Sequence, residues 1–560
     1  MIKQLSDWKL LLPALALLLF LPLLALLKPG LPLTHDGLDH VVRIGSFYDS
    51  LMEGNLVPRW GQYLNLGYGH PVLLFFYPFS SYLGSFFHYF GLSLVDSTKA
   101  VFAFSFVASG LFMYLWLKEF LSEKGLPAGR QAAFVGALVY TFAPYRFVDL
   151  FVRGAIGECM AFVWLPLILY FGLRFAKKQN GIFLLFGSIS IAFLIMSHNL
   201  LSLMFLPLVF AYFLFLLFYF SNEKQCLTRL LGLGLMILFG FLTSAFYWLP
   251  ALLEGKYTLR EIVTNNNITG LEPFGRLLYS PWNYGGNGSF TVQLGIVQWL
   301  VILLSPLVLV ILRKEKSRLF YWALIVLGSF FVGLFFVLPV SKNIYLQLPL
   351  LQKFQFGWRF LSLALFAPAV FVAFLISFLR EKQKTIVLLL SVVVLLGFNF
   401  SYWQPKDYLL KPESYYEKAT FTTTNDTGES APIWSIRRME EQRGDNLEVI
   451  DGKVEIEELK RNSTYHSYRL KVEEKSRLVE NTLYFPNWQI FANGKPVNLE
   501  FQDPRYRGLM TFDLEPGEYQ LEVVFKNTKL RRLAEIVSLS SFVLLVIVAA
   551  IAVGYNKKRK

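Results

Sequence analysis

The chain has 560 residues, of which 55% are hydrophobic and only 16% are charged, and its formal net charge is +14. This composition excludes an ordinary soluble protein, because repeated apolar runs of about 18 residues or more indicate membrane-spanning helices. We attribute the excess of Lys and Arg to loops that set membrane topology. The sequence has no basic helix with interleaved aromatic residues, so we do not predict nucleic acid as a partner.

The hydropathy pattern predicts about twelve transmembrane helices. The first apolar run follows two lysines but precedes no small-residue cleavage site, so we interpret it as a retained helix rather than a signal peptide. The predicted helices are residues 10–27, 98–118, 131–145, 157–174, 181–197, 199–220, 229–250, 293–312, 319–339, 358–379, 384–402 and 533–554.

Short basic loops alternate with longer aromatic ones along these helices. Segments such as RFAKKQN, RKEKSR, REKQK and the terminal NKKRK are rich in Lys and Arg, and the positive-inside rule assigns them to the cytoplasm. An even number of spans then places both termini in the cytoplasm and the longer loops outside. We therefore predict a multi-pass protein of the plasma membrane, surrounded by membrane lipids.

The long outer segments define the predicted domains. A transmembrane domain covers residues 1–402 and includes a long first loop, residues 28–97, with interfacial helices. Residues 403–530 contain alternating stretches such as EYQLEVVF, and Asn493-Gly494 between two short strands predicts a hairpin. We expect an extracytoplasmic β-sandwich-like domain there, followed in residues 531–560 by a final helix and a basic cytoplasmic tail.

The first loop begins with HDGLDH, which contains His35, Asp36, Asp39 and His40. If Asp36 opens an amphipathic helix, Asp39 and His40 share one face of it. Such a cluster could activate a hydroxyl by general base catalysis. No cofactor is certain, but Asp36, Asp39 and His40 could hold a divalent cation such as Mg²⁺ or Mn²⁺. The structural alternative is that Thr34 or Asp36 caps the helix while Asp39 satisfies its first-turn amides.

Arginines at the outer ends of other helices could bind phosphate through their planar guanidinium groups. Arg146, Arg153 and Glu158 lie in PYRFVDLFVRGAIGE between two spans, and Arg359 lies at the start of another. The alternatives are an Asp–Arg pair that stitches a loop and an arginine that anchors a helix at the membrane interface. His198 lies in a tight turn between helices, where a lone histidine is more typical of a structural residue than of a ligand.

The absence of three common enzyme motifs limits the reactions that the protein could catalyse. The sequence has no Walker-type loop, no HExxH and no GxSxG. An outward-facing enzyme without a nucleotide site needs an activated substrate that is already in the membrane. A sugar on a lipid phosphate meets this need, because one carboxylate can activate the acceptor while cations stabilise the departing phosphate.

Four segments in order, HDGLDH…GNLVPRW, PYRFVDLFVRGAIGE…WLPLIL, SHN and FQFGWRFL, resemble the bacterial membrane family named 6-pyruvoyl-tetrahydropterin synthase-related. The resemblance covers roughly residues 30–400, and YFPNW and NGK further on are similar to the C-terminal part of the related YfhO-like proteins. Neither a soluble pterin synthase fold nor a zinc-type histidine set accompanies the name. The wider similarity is to GT-C glycosyltransferases, which are polytopic enzymes with a large first outer loop.

This resemblance implies a GT-C-like fold and a base near the start of the first outer loop, which is Asp36 here, with Asp39 assisting. It also implies a polyprenyl-phosphate donor, an extracytoplasmic glycan or lipid acceptor, and hexosyl or pentosyl transfer. The residues that we predict to bind the donor phosphate or another part of a substrate, from their chemistry rather than from a family motif, are His35, His40, Arg146, Arg153, Glu158, His198 and Arg359.

Two other functions stay open. A transporter or flippase of lipid-linked saccharides would also need outward-facing charge, but it should carry more polar residues or broken helices at mid-membrane. A non-catalytic cell-envelope assembly protein would use the β domain as its working part and would tolerate a change of Asp36.

Overall fold

The structure is a computed structural model that describes residues 8–122, 129–221, 225–264, 269–285, 290–425 and 428–558. Its helices are α1 (Trp8–Phe20), α2 (Gly37–Met52), α3 (Val72–Phe75), α4 (Phe79–Tyr89), α5 (Leu94–Leu121), α6 (Arg130–Thr141), α7 (Pro144–Phe147), α8 (Ile156–Lys178), α9 (Gly181–Ser197), α10 (Asn199–Tyr219), α11 (Cys226–Thr243), α12 (Ala245–Leu253), α13 (Arg260–Thr264), α14 (Phe274–Leu278), α15 (Ile296–Lys314), α16 (Leu319–Val337), α17 (Lys342–Gln347), α18 (Pro349–Gln352), α19 (Leu361–Ala364), α20 (Phe366–Ser377), α21 (Glu381–Asn399) and α22 (Lys529–Lys558). Its strands are β1 (Leu31–Pro32), β2 (Tyr408–Leu409), β3 (Leu447–Asp451), β4 (Val454–Arg461), β5 (Tyr465–Val472), β6 (Ser476–Leu483), β7 (Trp488–Ala492), β8 (Lys495–Val497), β9 (Leu509–Leu514) and β10 (Gly517–Phe525).

Ten helices among the described residues are long and apolar enough to cross a membrane, and a bent pair brings the number to eleven. The chain is therefore a polytopic α-helical membrane protein, as predicted. The helix expected at 131–145 is interrupted: α6 ends at Thr141 and meets the segment Pro144–Arg153 at 53°. Ala143 precedes a proline and is extended (φ −82°, ψ 140°), which breaks the helix there. With 17 residues, α9 is at the lower length limit for a span and accounts for the twelfth predicted helix.

The first loop packs on the helical bundle. Its amphipathic helix α2 begins at Gly37, and apolar residues of α2 such as Val41 and Ile44 are buried. This helix contacts α4 and α5, so its apolar side faces protein rather than lipid. By contrast, α4 leaves Tyr89 and Phe90 exposed by 64% and 70%. The end of α4 therefore leaves aromatic surface uncovered, and Leu56, which is 80% exposed, is a second uncovered apolar residue of this loop.

The C-terminal strands form a two-sheet domain. One sheet has the order β4-β5-β10-β7-β8 and the other has the order β3-β6-β9, with antiparallel pairing in both. Leu470 and Phe512, from different sheets, share one apolar core. Asn493 and Gly494 join β7 to β8 with positive φ angles of 50° and 76°, as a two-residue hairpin turn requires. The predicted hairpin is thus confirmed.

The β domain is packed firmly against the first loop. The Trp60 and Trp488 ring centroids lie 5.4 Å apart, and the Arg59 guanidinium donates to the Glu535 carboxylate of α22 at 2.6 Å. In addition, β1 pairs with β2, which ties the chain after the last span of the helical bundle to the start of the first loop. These contacts bring residues 420–425 against the beginning of α2.

Candidate functional site

The segment that carries Asp36 is held against a π-helix, Val148–Arg153. The Asp36 backbone N–H donates to the Arg153 carbonyl at 2.9 Å. Gly154 follows with a positive φ of 66°, and a Cβ at this position would lie 2.3 Å from Thr34 Oγ1. Only glycine allows the two segments to approach this closely. Single π-turns inside helical segments are frequent at functional sites.

Asp36 occupies the N-cap position of α2, but its side chain does not cap the helix. Thr34 Oγ1 accepts the Gly37 N–H instead, at 3.1 Å. Within the described part of the chain, the Asp36 carboxylate makes no hydrogen bond. Of the two predicted caps, Thr34 performs this role, which leaves the Asp36 carboxylate available for chemistry.

The surroundings of Asp36 act on its protonation in opposite directions. Burial is the largest influence and raises the pKa of Asp36 to about 6 against the lowering effect of the Arg153 guanidinium. The Asp39 carboxylate raises this pKa further, and the Arg359 guanidinium lowers it. A carboxylate with a pKa near neutrality is matched to proton transfer at physiological pH.

Asp39 and His40, the other polar residues at the start of α2, are held by neighbours. The Thr422 hydroxyl donates to Asp39 Oδ1 at 2.8 Å, and Arg43 Nη1 lies 2.8 Å from His40 Nδ1. Burial, and then the Arg43 charge, lower the pKa of His40 well below its usual range, so the neutral ring accepts this hydrogen bond. In the described ranges, Asp36, Asp39 and His40 do not form a group that could hold a metal ion.

Glu158 is the centre of a buried charge cluster. Its Oε1 accepts from Arg153 Nη2 at 2.7 Å and from Arg359 Nε at 3.1 Å. Tyr145 donates its hydroxyl proton to Oε2 at 3.2 Å, and Arg153 also pairs with Asp149 at 2.7 Å. Because one carboxylate holds both guanidinium groups, Glu158 positions two of the three arginines whose charges act on Asp36.

Two further predicted residues, Arg146 and His35, have other partners. Arg146 donates to Ser109 Oγ at 2.9 Å, and its guanidinium lies 3.9 Å from the centroid of the Phe162 ring, inside the helical bundle. His35 Nε2 is 2.8 Å from the Tyr284 carbonyl oxygen, so it joins the first loop to the segment before α15. Neither residue forms an ion pair with Glu158 among the residues described.

His198 caps a helix, and it contacts Tyr77, a residue that the sequence analysis did not single out. Its Nδ1 accepts the Leu201 N–H at 3.2 Å, which caps α10. The ring of Tyr77 stacks on it with centroids 4.9 Å apart, and a Cβ on Gly157 would lie 2.3 Å from the Tyr77 ring. Tyr77 lies inside an apolar run, where an aromatic residue has no distinguishing pattern.

A chain of aromatic contacts connects His35 with Arg359. The His35 and Phe290 ring centroids are 5.8 Å apart, and Phe290 meets Trp358 edge-on at 4.8 Å. Trp358 stacks on Phe356 at 4.5 Å, and the Arg359 guanidinium lies 5.0 Å from the Phe356 centroid. We call Phe290, Phe356 and Trp358 the aromatic wall. This part of the molecule therefore contains a carboxylate with a raised pKa, arginines fixed by Glu158, and aromatic rings.

Comparison with known proteins identifies a family. A sequence model of the 6-pyruvoyl-tetrahydropterin synthase related domain, described as a membrane protein, matches residues 73–405. An uncharacterized protein of Lactococcus lactis subsp. cremoris (strain MG1363) is 24% identical over 226 residues. That match covers 39% of this chain and 36% of the Lactococcus protein, so it spans little more than a third of either.

Two solved structures can be superimposed on about 70% of this chain. Arabinofuranosyltransferase AftD from Mycobacteria matches with a TM-score of 0.48 and 12% identity, over 72% of this chain and 28% of AftD. The Archaeoglobus fulgidus oligosaccharyltransferase in its apo form matches with a TM-score of 0.43 and 15% identity, over 71% of this chain and 55% of that protein. Neither similarity identifies an activity or a substrate for this chain.

Proposed function

This chain belongs to the 6-pyruvoyl-tetrahydropterin synthase related family of membrane proteins, and we propose that it is an integral-membrane glycosyltransferase. It would move a sugar from a polyprenyl-phosphate carrier to an extracytoplasmic glycan or lipid acceptor. The observation that carries this proposal is the Asp36 carboxylate. Burial raises its pKa to about 6, it has no hydrogen-bond partner in the described residues, and three largely buried arginines act on it.

Asp36 supplies the general base in this reaction. The acceptor hydroxyl gives its proton to the carboxylate while its oxygen attacks the anomeric carbon of the donor sugar. The bond from that carbon to the phosphate oxygen breaks, its electron pair leaves with the polyprenyl phosphate, and the configuration inverts. Asp39 assists, because its negative charge raises the pKa of Asp36 and thereby strengthens the base.

Arg359 is the arginine best suited to bind the donor phosphate. Its Nε is held by Glu158 and its Nη1 donates to the Phe354 carbonyl at 2.8 Å, whereas its Nη2 donates no hydrogen bond within the described ranges. Its side chain is 12% exposed, against 7% for Arg153. A guanidinium fixed on one edge and open on the other can bind phosphate while losing little conformational freedom.

The aromatic wall suits the apolar part of such a donor. Small-molecule sites are lined mainly by hydrophobic and aromatic side chains, with a few polar groups that fix orientation. The wall runs from His35 to Arg359, so a donor whose phosphate binds Arg359 would place its sugar or first prenyl unit along these rings.

The test is sugar transfer by the purified protein in lipid nanodiscs, with a panel of labelled polyprenyl-phosphate sugars and candidate acceptors. We expect the wild type to remove sugar from one carrier and Asp36→Asn to be slower by about 10²–10⁴-fold, since it lacks the base. Asp96→Asn is the matched control, because Asp96 also lies in the first loop but is 55% exposed and pairs with Lys99.

Equal rates for the wild type and Asp36→Asn would contradict the assignment of the base. If the wild type binds a lipid-linked saccharide but transfers nothing from any carrier, the transporter or flippase function replaces the proposed one. If it neither binds nor transfers, the assembly function replaces it.

A further inference from the structure

Tyr77 lies between the two segments that build the candidate site. It lies between α3 and α4 in the first loop, and the ring before it, Phe76, has its centroid 3.3 Å from the Arg43 guanidinium of α2. On the other side, a Cβ on Gly157 would lie 2.4 Å from Tyr77 Cζ, the ring carbon that carries the hydroxyl. Because Glu158 follows Gly157 directly, the hydroxyl end of Tyr77 packs at the start of α8, where the buried charge cluster has its centre.

The same charged groups act on Tyr77 and on Asp36. The Arg359 and Arg43 guanidinium groups interact electrostatically with both residues, and Tyr77 and Asp36 lie close enough for the Asp36 carboxylate to act on Tyr77. The Glu158 carboxylate acts on Tyr77 as well. Electrostatic interactions weaken with distance, so these shared partners place Tyr77 in the surroundings of Asp36.

The Tyr77 hydroxyl is available to a ligand. It has no hydrogen-bond partner among the described residues. The hydroxyls of Tyr114 and Tyr416 also have no partner, but they are enclosed by protein, whereas the Tyr77 hydroxyl is not and its side chain is partly exposed. Because a largely buried tyrosine hydroxyl usually has a hydrogen-bond partner, an oxygen atom of a ligand would meet an unused donor here.

His198 offers a second donor beside Tyr77. The two ring centroids are 4.9 Å apart, with 27° between the ring planes. His198 Nδ1 accepts the Leu201 N–H, so the ring is neutral and carries its proton on Nε2. This Nε2 has no partner within the described ranges and, unlike the Nε2 of His70, is not enclosed by protein. The Arg359 charge acts on His198 too.

We propose that the Tyr77 hydroxyl and the His198 Nε2–H bind the phosphate group that Arg359 binds. This assignment rests on the proposed glycosyl transfer and adds two residues to its donor site. Arg359 Nη2 and His198 Nε2 can only donate, and the Tyr77 hydroxyl can donate too, which matches the acceptor oxygens of a phosphate. Ring stacking and the cap of α10 fix these donors, and prepositioned donors stabilise the negative charge that grows on a departing phosphate.

The experiment measures phosphate binding without sugar transfer. Full-length protein in phosphatidylcholine nanodiscs is titrated with farnesyl phosphate, and binding is followed by microscale thermophoresis. We expect farnesyl phosphate to bind the wild type and Tyr77→Phe to bind it about tenfold or more weakly, because one hydrogen bond to a charged group is lost. Tyr114→Phe is the matched control, since it removes an unpartnered hydroxyl that is enclosed in α5, and it should bind like the wild type.

Farnesol and inorganic phosphate separate the contributions of the two parts of the probe. Tyr77→Phe keeps the ring, so it should bind farnesol like the wild type. Equal weakening of farnesol and farnesyl phosphate would show that Tyr77 supports the apolar contact and would overturn the assignment. If inorganic phosphate displaces farnesyl phosphate at similar concentrations, the same donors bind free phosphate; if it does not, they bind a lipid-linked phosphate.

A variant of His198 tests the second donor. Serine can still cap α10 but lacks the Nε2–H, so His198→Ser should also weaken farnesyl phosphate binding about tenfold. If His198→Ser weakens binding and Tyr77→Phe does not, the assignment is overturned, because the loss of the stacked ring would then explain the effect.

Failure of this proposal can be told apart from failure of the proposed function. If the wild type and Asp36→Asn bind farnesyl phosphate, Tyr77→Phe does not, and no carrier loses sugar, the phosphate assignment stands and the proposed reaction fails. If sugar transfer depends on Asp36 while Tyr77→Phe binds farnesyl phosphate as tightly as Tyr114→Phe, the reaction stands and the phosphate assignment is overturned. Absence of binding to the wild type overturns the assignment as well.

Discussion

Two carboxylates on neighbouring segments, Glu158 and Asp36, are held in opposite ways. Glu158 accepts hydrogen bonds from Arg153 and Arg359 and is 1% exposed. Asp36 makes no side-chain hydrogen bond in the described ranges, and burial raises its pKa to about 6. A carboxylate paired with two cations fixes their positions, whereas one without a partner can take up a proton. The role of each acidic residue therefore depends on which groups its carboxylate contacts, and the residue type alone does not determine it.

The β domain contains a third carboxylate, Glu480, which follows the paired pattern. It accepts from Arg461 at 2.9 Å, from His466 at 2.9 Å and from the Tyr468 hydroxyl at 2.8 Å. Burial raises the pKa of Glu480, but the Arg461 charge and then His466 outweigh this effect and hold it at about 2. We interpret this cluster as structural, because the carboxylate and its three donors all belong to the β domain and bind one another.

Removing the Glu158 carboxylate should have the largest effect, which is a loss of stability. Glu158→Gln leaves Arg153 and Arg359 without their common carboxylate, and an uncompensated buried charge lowers the free energy of unfolding by about 3–5 kcal/mol. Unfolding of the protein in nanodiscs measures this change. Glu515→Gln is the control, since Glu515 and its partner Lys475 are 67% and 69% exposed, and it should cost less than about 1 kcal/mol. Similar losses for both variants would show that the Glu158 pairing stabilises nothing.

Removing the Arg359 guanidinium should have the second largest effect, which is a loss of donor binding. We expect Arg359→Gln to raise the KM for the polyprenyl-phosphate donor by about 10–150-fold, because a hydrogen bond to a charged group contributes about 1.5–3 kcal/mol. Arg359→Lys should recover part of this loss, since it keeps the charge but not the planar fork. Donor titrations of the three proteins provide the measurement. An unchanged KM in Arg359→Gln would show that a residue other than Arg359 binds the donor phosphate.

The pH dependence tests the unpaired carboxylate directly. A general base must be deprotonated, and burial raises the pKa of Asp36 to about 6. We therefore expect kcat/KM to fall about tenfold for each pH unit below 6 and to level off above it. A profile that stays flat from pH 5 to 7 would argue that a different group accepts the proton.

The smallest expected effect is on the thermal stability of the Asp36→Asn variant, which tests whether the ionised Asp36 carboxylate lacks a partner. Because the folded state raises the pKa of Asp36 from 3.8 to about 6, stability is lost as the pH rises through this window. The neutral side chain of Asp36→Asn avoids that loss, so the variant should unfold about 2 °C or more above the wild type at pH 8. This advantage should shrink as the pH falls below 6. A lower Tm for Asp36→Asn at pH 8 would mean that the ionised carboxylate has a partner.

The parts of the fold that follow from local sequence were predictable. Apolar runs predicted the polytopic helical protein, and the Asn493-Gly494 turn predicted its hairpin. Thr34 and Asp36 were both recognised as possible caps, yet sequence alone could not choose between them, because the choice depends on which side-chain oxygen reaches the Gly37 N–H. The helix predicted at 131–145 is interrupted before Pro144, and the two parts form a bent pair.

The sequence by itself therefore determined that this is a membrane protein with a polar cluster at the start of its first loop, since hydrophobic period and turn chemistry act over a few residues. Only the tertiary structure decided which of those polar groups are paired. Thr422 reaches Asp39 across 383 residues of sequence, and Arg359 reaches Glu158 across 201. Contacts at such separations arise from packing of the whole bundle and β domain, and no local pattern specifies them.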